Sequence, residues 1–307
     1  MLKRPSGRAS SIGQRTLGNQ IASRTAGFIY TTLLKPRFVR ALANWIILSI
    51  LPRMVAVGGA NIVINPRDPV VSGALALGLY EKAEIRYIQR ACEPGQVVID
   101  IGANVGLYTA IAAAAVGPSG KVIAIEPDPE CVRYLEKTIL ANNLNNVTIV
   151  EAAASSTNGS ARLFTSSQNR GDNRMYDPGT ADGLVEVSSL RLDDYLEADG
   201  VTTVDVIKID VQGFEGHVVK GLERTIRSSL RLKMLIEFWP QGLLSAGTDP
   251  FAFLEYLEAL GLTLFELKGS GATVLLQDKK RLIGCLPGRK YTNLVLLAPD
   301  AALRSRT

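Results

Sequence analysis

The chain has 307 residues, 47% hydrophobic and 21% charged, enough for one large α/β domain with an extension or for two modest domains. Its three cysteines, Cys92, Cys131 and Cys285, form no C-x-x-C pair, which argues against a disulfide scaffold or a cysteine-built zinc site and favours a cytoplasmic setting. The one histidine, His217, excludes multi-histidine metal centres, and the net charge of +5 is lopsided: ten Lys or Arg and no acid precede Asp68, leaving 24 bases against 29 acids from there on.

Met1 to about Gly27 is rich in Ser, Arg, Gly and Thr without sustained apolar periodicity, and is expected to be flexible or weakly helical. Ala41–Leu51 is strongly apolar but stops at Pro52 after eleven residues, short of the roughly 20 a bilayer span needs and too late for a secretory signal. A helix packed on the main domain is the plain expectation. Peripheral contact of basic residues 1–53 with an anionic membrane is the sharper one, and an organellar transit segment is a third.

From Asn61 the pattern alternates. Asn61–Asn65 predicts a strand and Gly73–Arg90 helix; Gln96–Ile101 predicts a buried strand, Val105–Val116 a small-residue helix, and Lys121–Ile125 the next strand. Residues 129–142 predict helix and Asn146–Val150 strand; then follow Val204–Ile209, a helix over about 214–227, Lys233–Phe238 and a helix over about 251–260. Short apolar strands alternating with helices indicate an α/β, doubly wound parallel sheet. Ser155 to about Leu190 is a polar insertion with alternating runs at Ser160–Thr165 and Leu184–Ser188 around a long loop. Leu262–Leu267, Ala272–Leu276 and Asn293–Leu297 predict antiparallel closing strands. The domains expected are a basic extension over 1–60, the α/β domain over 61–300 and a tail over 301–307.

Ligands of such sheets bind beyond the carboxyl ends of the strands. There Asp100 stands two residues before a turn containing Gly102, Asn104 and Gly106, in which glycines let the backbone pass close beneath a ligand. A dinucleotide fingerprint would have G-x-G-x-x-G; Ala103 and Asn104 break that spacing, and the acid suits an amino-bearing ligand better than a pyrophosphate. Glu126, at the tip of the second strand, is placed to accept from both hydroxyls of a ribose. Together Asp100 and Glu126 indicate S-adenosylmethionine.

The runs VIDIGANVGLYT, AIEPDP, SLRLDDYL (Ser189–Leu196), IKIDVQGFE (Ile207–Glu215) and LIEFWP (Leu235–Pro240) resemble the FkbM-type family of S-adenosylmethionine-dependent methyltransferases over roughly residues 60–298. The resemblance implies a class I, Rossmann-like fold with a seven-stranded sheet closed by an antiparallel strand, and a methyltransferase. Gln212 stands where the family usually has Glu, which removes proton transfer from that position and leaves hydrogen bonding.

Methyl transfer from a sulfonium is an in-line displacement in which positioning does most of the work, and a hydroxyl acceptor needs its proton removed. Asp210 is the expected base, with Lys208 orienting it and Glu237 the second choice. The loop residues Asp172, Asn173 and Arg174 are the expected acceptor contacts, their donors and acceptors matching sugar hydroxyls. His217 is expected to be a surface or capping residue, and Glu81 and Glu84 to be solvated without chemistry.

The expected activity is O-methylation of a sugar or secondary-metabolite hydroxyl, with a small-molecule or glycan partner and no metal. Nucleic acid is disfavoured as a partner because the bases cluster in the arm and no N-P-P-[YFW] motif occurs. A nicotinamide-dependent oxidoreductase is disfavoured by the glycine spacing. The alternative outside enzymes is a nucleoside-binding protein recruited to a membrane by its basic arm.

Overall fold

The computed structural model describes residues 52–78, 81–167 and 169–304; the readings of Met1–Gly27 and Ala41–Leu51 lie outside them. The first elements are a hairpin, β1 (Met54–Val57) and β2 (Ala60–Val63), turning at Gly58 and Gly59, both with positive φ, as a two-residue turn requires. Its strands therefore include residues before position 61. Helix α1 (Pro69–Ala76) starts on Asp68, whose side chain accepts from the backbone N–H groups of Val70 and Val71, with Pro69 preorganising the first turn. The helical run expected over 73–90 is broken: Gly78, at φ +63°, ends α1, and α2 (Lys82–Ala91) follows as a separate helix.

Strand β3 (Val97–Ile101), α3 (Leu107–Val116), β4 (Lys121–Ile125), α4 (Pro129–Ala141) and β5 (Val147–Val150) follow close to the predicted bounds. The insertion then builds a second sheet. Its strands β6 (Ala153–Ser155), β7 (Gly159–Thr165) and β8 (Gly183–Arg191) lie in the order β6-β8-β7. After α5 (Leu192–Ala198) and β9 (Val206–Ile209), the helix expected over 214–227 divides at Leu222 into α6 (Glu215–Gly221) and α7 (Glu223–Ser228). The chain continues through β10 (Lys233–Phe238), α8 (Pro240–Ser245), α9 (Pro250–Ala259), β11 (Thr263–Leu267), β12 (Thr273–Leu275), α10 (Lys279–Cys285), β13 (Thr292–Leu297) and α11 (Pro299–Arg304).

The main sheet has the order β12-β11-β13-β10-β9-β3-β4-β5. Strands β10, β9, β3, β4 and β5 are parallel neighbours, and β13 runs antiparallel between β10 and β11. The short β12 adds an eighth strand at the edge to the seven expected. Ile99, Ile123, Ile207, Ile236 and Phe238 are fully buried, as strands covered on both faces require. The order reverses between β3 and β9, where chain connections leave in opposite directions and a crevice opens at the strand ends. No helix among the described residues is long and apolar enough to cross a membrane.

Candidate active site

The crevice is a cleft of about 290 Å³ walled by the ends of β3, β4, β9 and β10, by α1 and by the insertion loop, a volume at the lower edge of small-molecule sites. Its floor is the turn after β3. Gly102 has φ +77°, and a Cβ there would stand 2.0 Å from the Asp210 carbonyl oxygen, so the close approach of β9 to this turn admits only glycine. Gly106, at φ +88°, begins α3 beneath Leu135, 2.7 Å from where a Cβ would lie.

Asp100 is buried, and its Oδ2 accepts from the Thr109 hydroxyl at 2.6 Å while Oδ1 has no hydrogen-bond partner. Burial raises its pKa, against the opposing pull of Lys208. An unpartnered buried carboxylate oxygen is costly unless a ligand donor completes it. Glu126 is buried too; Oε2 accepts from the Asn104 N–H at 2.8 Å and Oε1 from the Asp128 N–H at 2.9 Å. Burial pushes its carboxyl up to about 7, although these two N–H groups hold it down. Each oxygen keeps a further lone pair for a ligand hydroxyl. Asn104 Oδ1 is the other buried acceptor here without a partner. These acceptors therefore fit the donors of S-adenosylmethionine: Asp100 its ammonium group and Glu126 its ribose hydroxyls.

Beside Asp100 stands one ammonium among carboxylates. Lys208 Nζ lies 3.3 Å from Asp210 Oδ2, 3.9 Å from Asp100 Oδ1 and 4.7 Å from the centre of the Tyr108 ring. Burial works to lower the Lys208 pKa, but Asp210, Asp100 and Glu81 outweigh it and the group is raised, firmly cationic. Gln212 Nε2 donates to Asp210 Oδ1 at 2.9 Å and to Glu237 Oε1 at 3.2 Å, the hydrogen-bonding role its amide leaves open. Burial, then Asp210, raises Glu237 well above the usual carboxylate range.

Glu81 is a correction to the sequence reading. It is half-buried and turned into the cleft, where it accepts a short hydrogen bond from the Tyr108 hydroxyl; burial, then Asp210, pushes it up to about 7. Glu84 is half-buried as well and accepts from Asn293 Nδ2 at 2.9 Å. Tyr291 lines the cleft half-exposed. Sequence spacing offered no sign of Glu81 or Tyr291, which meet this site only through the fold. The four non-glycine residues with positive φ among those described are Glu81, Asn104, Asn143 and Gln212. Three of them line this cleft, and such strain is held in place by its surroundings and concentrates at functional sites.

The predicted loop residues separate. Asn173 lines the cleft, but its Nδ2 donates to Asp128 at 2.8 Å and its Oδ1 accepts from the Ser166 N–H at 3.0 Å. Asp172 and Arg174 pair with each other, and Arg174 lies over the Trp239 ring at 4.8 Å while Asp172 also accepts from Arg289 at 3.1 Å; neither lines the cleft. His217 does not itself line the cleft; it stacks behind Phe214, which does, with ring centres 4.2 Å apart, and meets the Ala246 carbonyl oxygen at 3.1 Å.

A Rossmann-like sheet with an antiparallel strand inserted near its edge, an acidic glycine turn after the first strand of its parallel core and an acid ending the next define a class I methyltransferase. The model of the methyltransferase FkbM domain matches residues 100–261, and the chain belongs to that family and depends on S-adenosylmethionine. The 2-O-methyltransferase NoeI of Sinorhizobium fredii is 26% identical over 204 residues, covering 61% of this chain and 82% of that protein. The methyltransferase sdnD of Sordaria araneosa is 27% identical over 177 residues, 48% of this chain and 68% of that protein. The hexuronic acid methyltransferase AglP of Haloferax volcanii is 25% identical over 150 residues, 48% of this chain and 59% of that protein. A solved FkbM methyltransferase from Methylobacillus flagellatus aligns with TM-score 0.41 and 14% identity, covering 86% of this chain and 60% of that one.

Proposed function

We propose that the enzyme methylates a hydroxyl oxygen of a sugar or secondary metabolite. The observation that carries this reading is the group of Asp210, Glu237 and Glu81 around the single ammonium of Lys208 in the cleft. NoeI, a 2-O-methyltransferase, supports oxygen as the acceptor atom, and AglP, a hexuronic acid methyltransferase, supports a sugar as the acceptor class.

Asp100 would hold the cofactor's ammonium group, Glu126 its ribose, and Gly102, Asn104 and Gly106 would let the backbone run beneath it. The bound cofactor supplies an electrophilic methyl group on a sulfonium. Asp210, the less buried of the acids beside Lys208, takes the proton of the acceptor hydroxyl. Lys208 orients Asp210 and keeps its charge compensated, and Gln212 fixes the other Asp210 oxygen relative to Glu237. Glu237, whose carboxyl burial raises above the usual carboxylate range, is the second carboxyl that meets the acceptor.

Calorimetric titration with S-adenosylmethionine and with NAD, on the wild type and on Asp100→Ala, tests the cofactor assignment. Tight NAD binding, or an unchanged S-adenosylmethionine affinity in the variant, would overturn it. With labelled S-adenosylmethionine and a panel of neutral glycosides and phenols, Asp210→Asn should lower kcat about 10²- to 10⁴-fold with cofactor affinity retained. Full turnover in that variant removes Asp210 as the base.

A further inference from the structure

The polar loop of the insertion is fastened to the nucleoside half of the cleft. Arg170 donates through Nη1 to Asp128 Oδ2, and Asn173 donates to that same oxygen at 2.8 Å. The Arg170 backbone N–H donates to Asp68 Oδ2 at 3.0 Å, while Asp68 Oδ1 caps α1. Asp128 lies two residues beyond Glu126 and donates its own N–H to the Glu126 carboxylate at 2.9 Å. One buried carboxylate thus joins the loop to the turn that presents Glu126.

The loop also covers the glycine turn. A Cβ on Gly171 would stand 2.9 Å from Val71 Cγ2 and 3.9 Å from Asn104 Nδ2, so the backbone at 171 lies against α1 and over Asn104. Two polar atoms of cleft-lining residues in this half are buried without partners: Arg170 Nε, a donor, and Asn104 Oδ1, an acceptor. A ligand edge carrying an acceptor beside a donor, as adenine does, complements that pair. The side chains of Arg170 and Asn173 are held by Asp128, and that of Asp172 by Arg174 and Arg289, rather than by Asp210, Glu237 or Glu81.

We propose that the loop over 169–173 is the adenosine-side wall of the cofactor site, with Arg170 contacting the nucleoside through Nε and Asp128 acting as the positioning residue that gathers Arg170 and Asn173 over it. This rests on the S-adenosylmethionine reading of the cleft. The inserted module then serves the cofactor, and the acceptor approaches from the Tyr291 side. Cofactor exchange requires the Arg170–Asp128 pair to part.

The test is binding of S-adenosylhomocysteine and of adenosine to the full chain, with the dissociation rate of the former followed separately. Arg170→Met should weaken both ligands at least tenfold, chiefly through faster dissociation. Arg170→Lys should recover only part, because an ammonium can pair with Asp128 but lacks the planar fork that presents Nε. Asp128→Asn, which retains an oxygen to cap α4, should speed dissociation as Arg170→Met does in a chain that stays folded. Leu184→Ser, on an exposed part of β8, should match the wild type. Wild-type affinity and dissociation rate in a folded Arg170→Met chain would overturn the proposal, as would weakened S-adenosylhomocysteine binding with unchanged adenosine binding. A wild type that binds neither ligand overturns this proposal and the cofactor reading together.

Discussion

Asp100 and Glu126 illustrate what single side chains contribute. Asp100 Oδ1, which has no hydrogen bond, is the oxygen a ligand ammonium would complete, and a hydrogen bond to a charged group contributes about 2 kcal/mol. Asp100→Asn should therefore lose roughly thirtyfold in S-adenosylmethionine affinity, read by calorimetry. Glu126 must be ionised to accept from two ribose hydroxyls, and in the free protein its carboxyl is pushed up to about 7. Affinity should hold above pH 7 and fall by up to tenfold per unit below it. Glu126→Gln should bind more weakly throughout and lose that limb; a Gln variant with an unchanged pH profile would assign the proton to another carboxyl. Both acids were legible because each sits in a local motif, on a strand end beside its turn. Glu81 was not, since its partner Tyr108 is 27 residues away and its isolated position on a helix suggested only solvent.

At the scale of elements, the backbone geometry of one turn outweighs most side-chain chemistry. Gly102→Ala would place a Cβ 2.0 Å from the Asp210 carbonyl oxygen in a left-handed residue, and β9 would have to move away from β3. A loss of about 3 kcal/mol or more in urea unfolding is expected. By comparison, Asp249→Ala removes only the cap that Asp249 Oδ1 gives the Ala252 N–H at the start of α9, at a cost of about 1 kcal/mol. The parallel strands were legible because buried strands such as KMLIEF are continuous apolar runs. What escaped were interruptions and small additions. Gly78 and Leu222 each divide a run whose spacing is helical throughout, and β6 is three residues, too short to register a period. Asp172, Asn173 and Arg174 suggest acceptor binding because their residue types suit sugar hydroxyls; the placement of the loop depends on Asp68 and Asp128, far away in sequence.

Taken as a whole, the molecule keeps several acids partly protonated near neutrality. Glu81, Glu126 and Glu215 are all pushed up to about 7, burial being the leading cause in each. The folded chain therefore binds protons that the unfolded chain has released above its ordinary value of 4.5. The sign follows: this contribution to stability is complete below about pH 4.5 and is lost as pH rises towards 7. Glu215 is fully buried, with Oε1 accepting from Gly213 and Val211 and Oε2 unpartnered. Across pH 5 to 7 the wild type should lose stability relative to Glu215→Gln by up to about 1.4 kcal/mol per pH unit, measured by denaturant titration; parallel curves would show that Glu215 does not carry the effect. The charged pair at the sheet's reversal has a consequence for assembly as well. Asp100 and Lys208 are direct partners in the register of β3 and β9, and Ile207 and Ile209 flank Lys208 on the opposite face. A slip of one residue would turn the ammonium into the apolar layer and bring an isoleucine beside Asp100. The same two charges that serve the ligand thus proofread strand pairing while the chain folds.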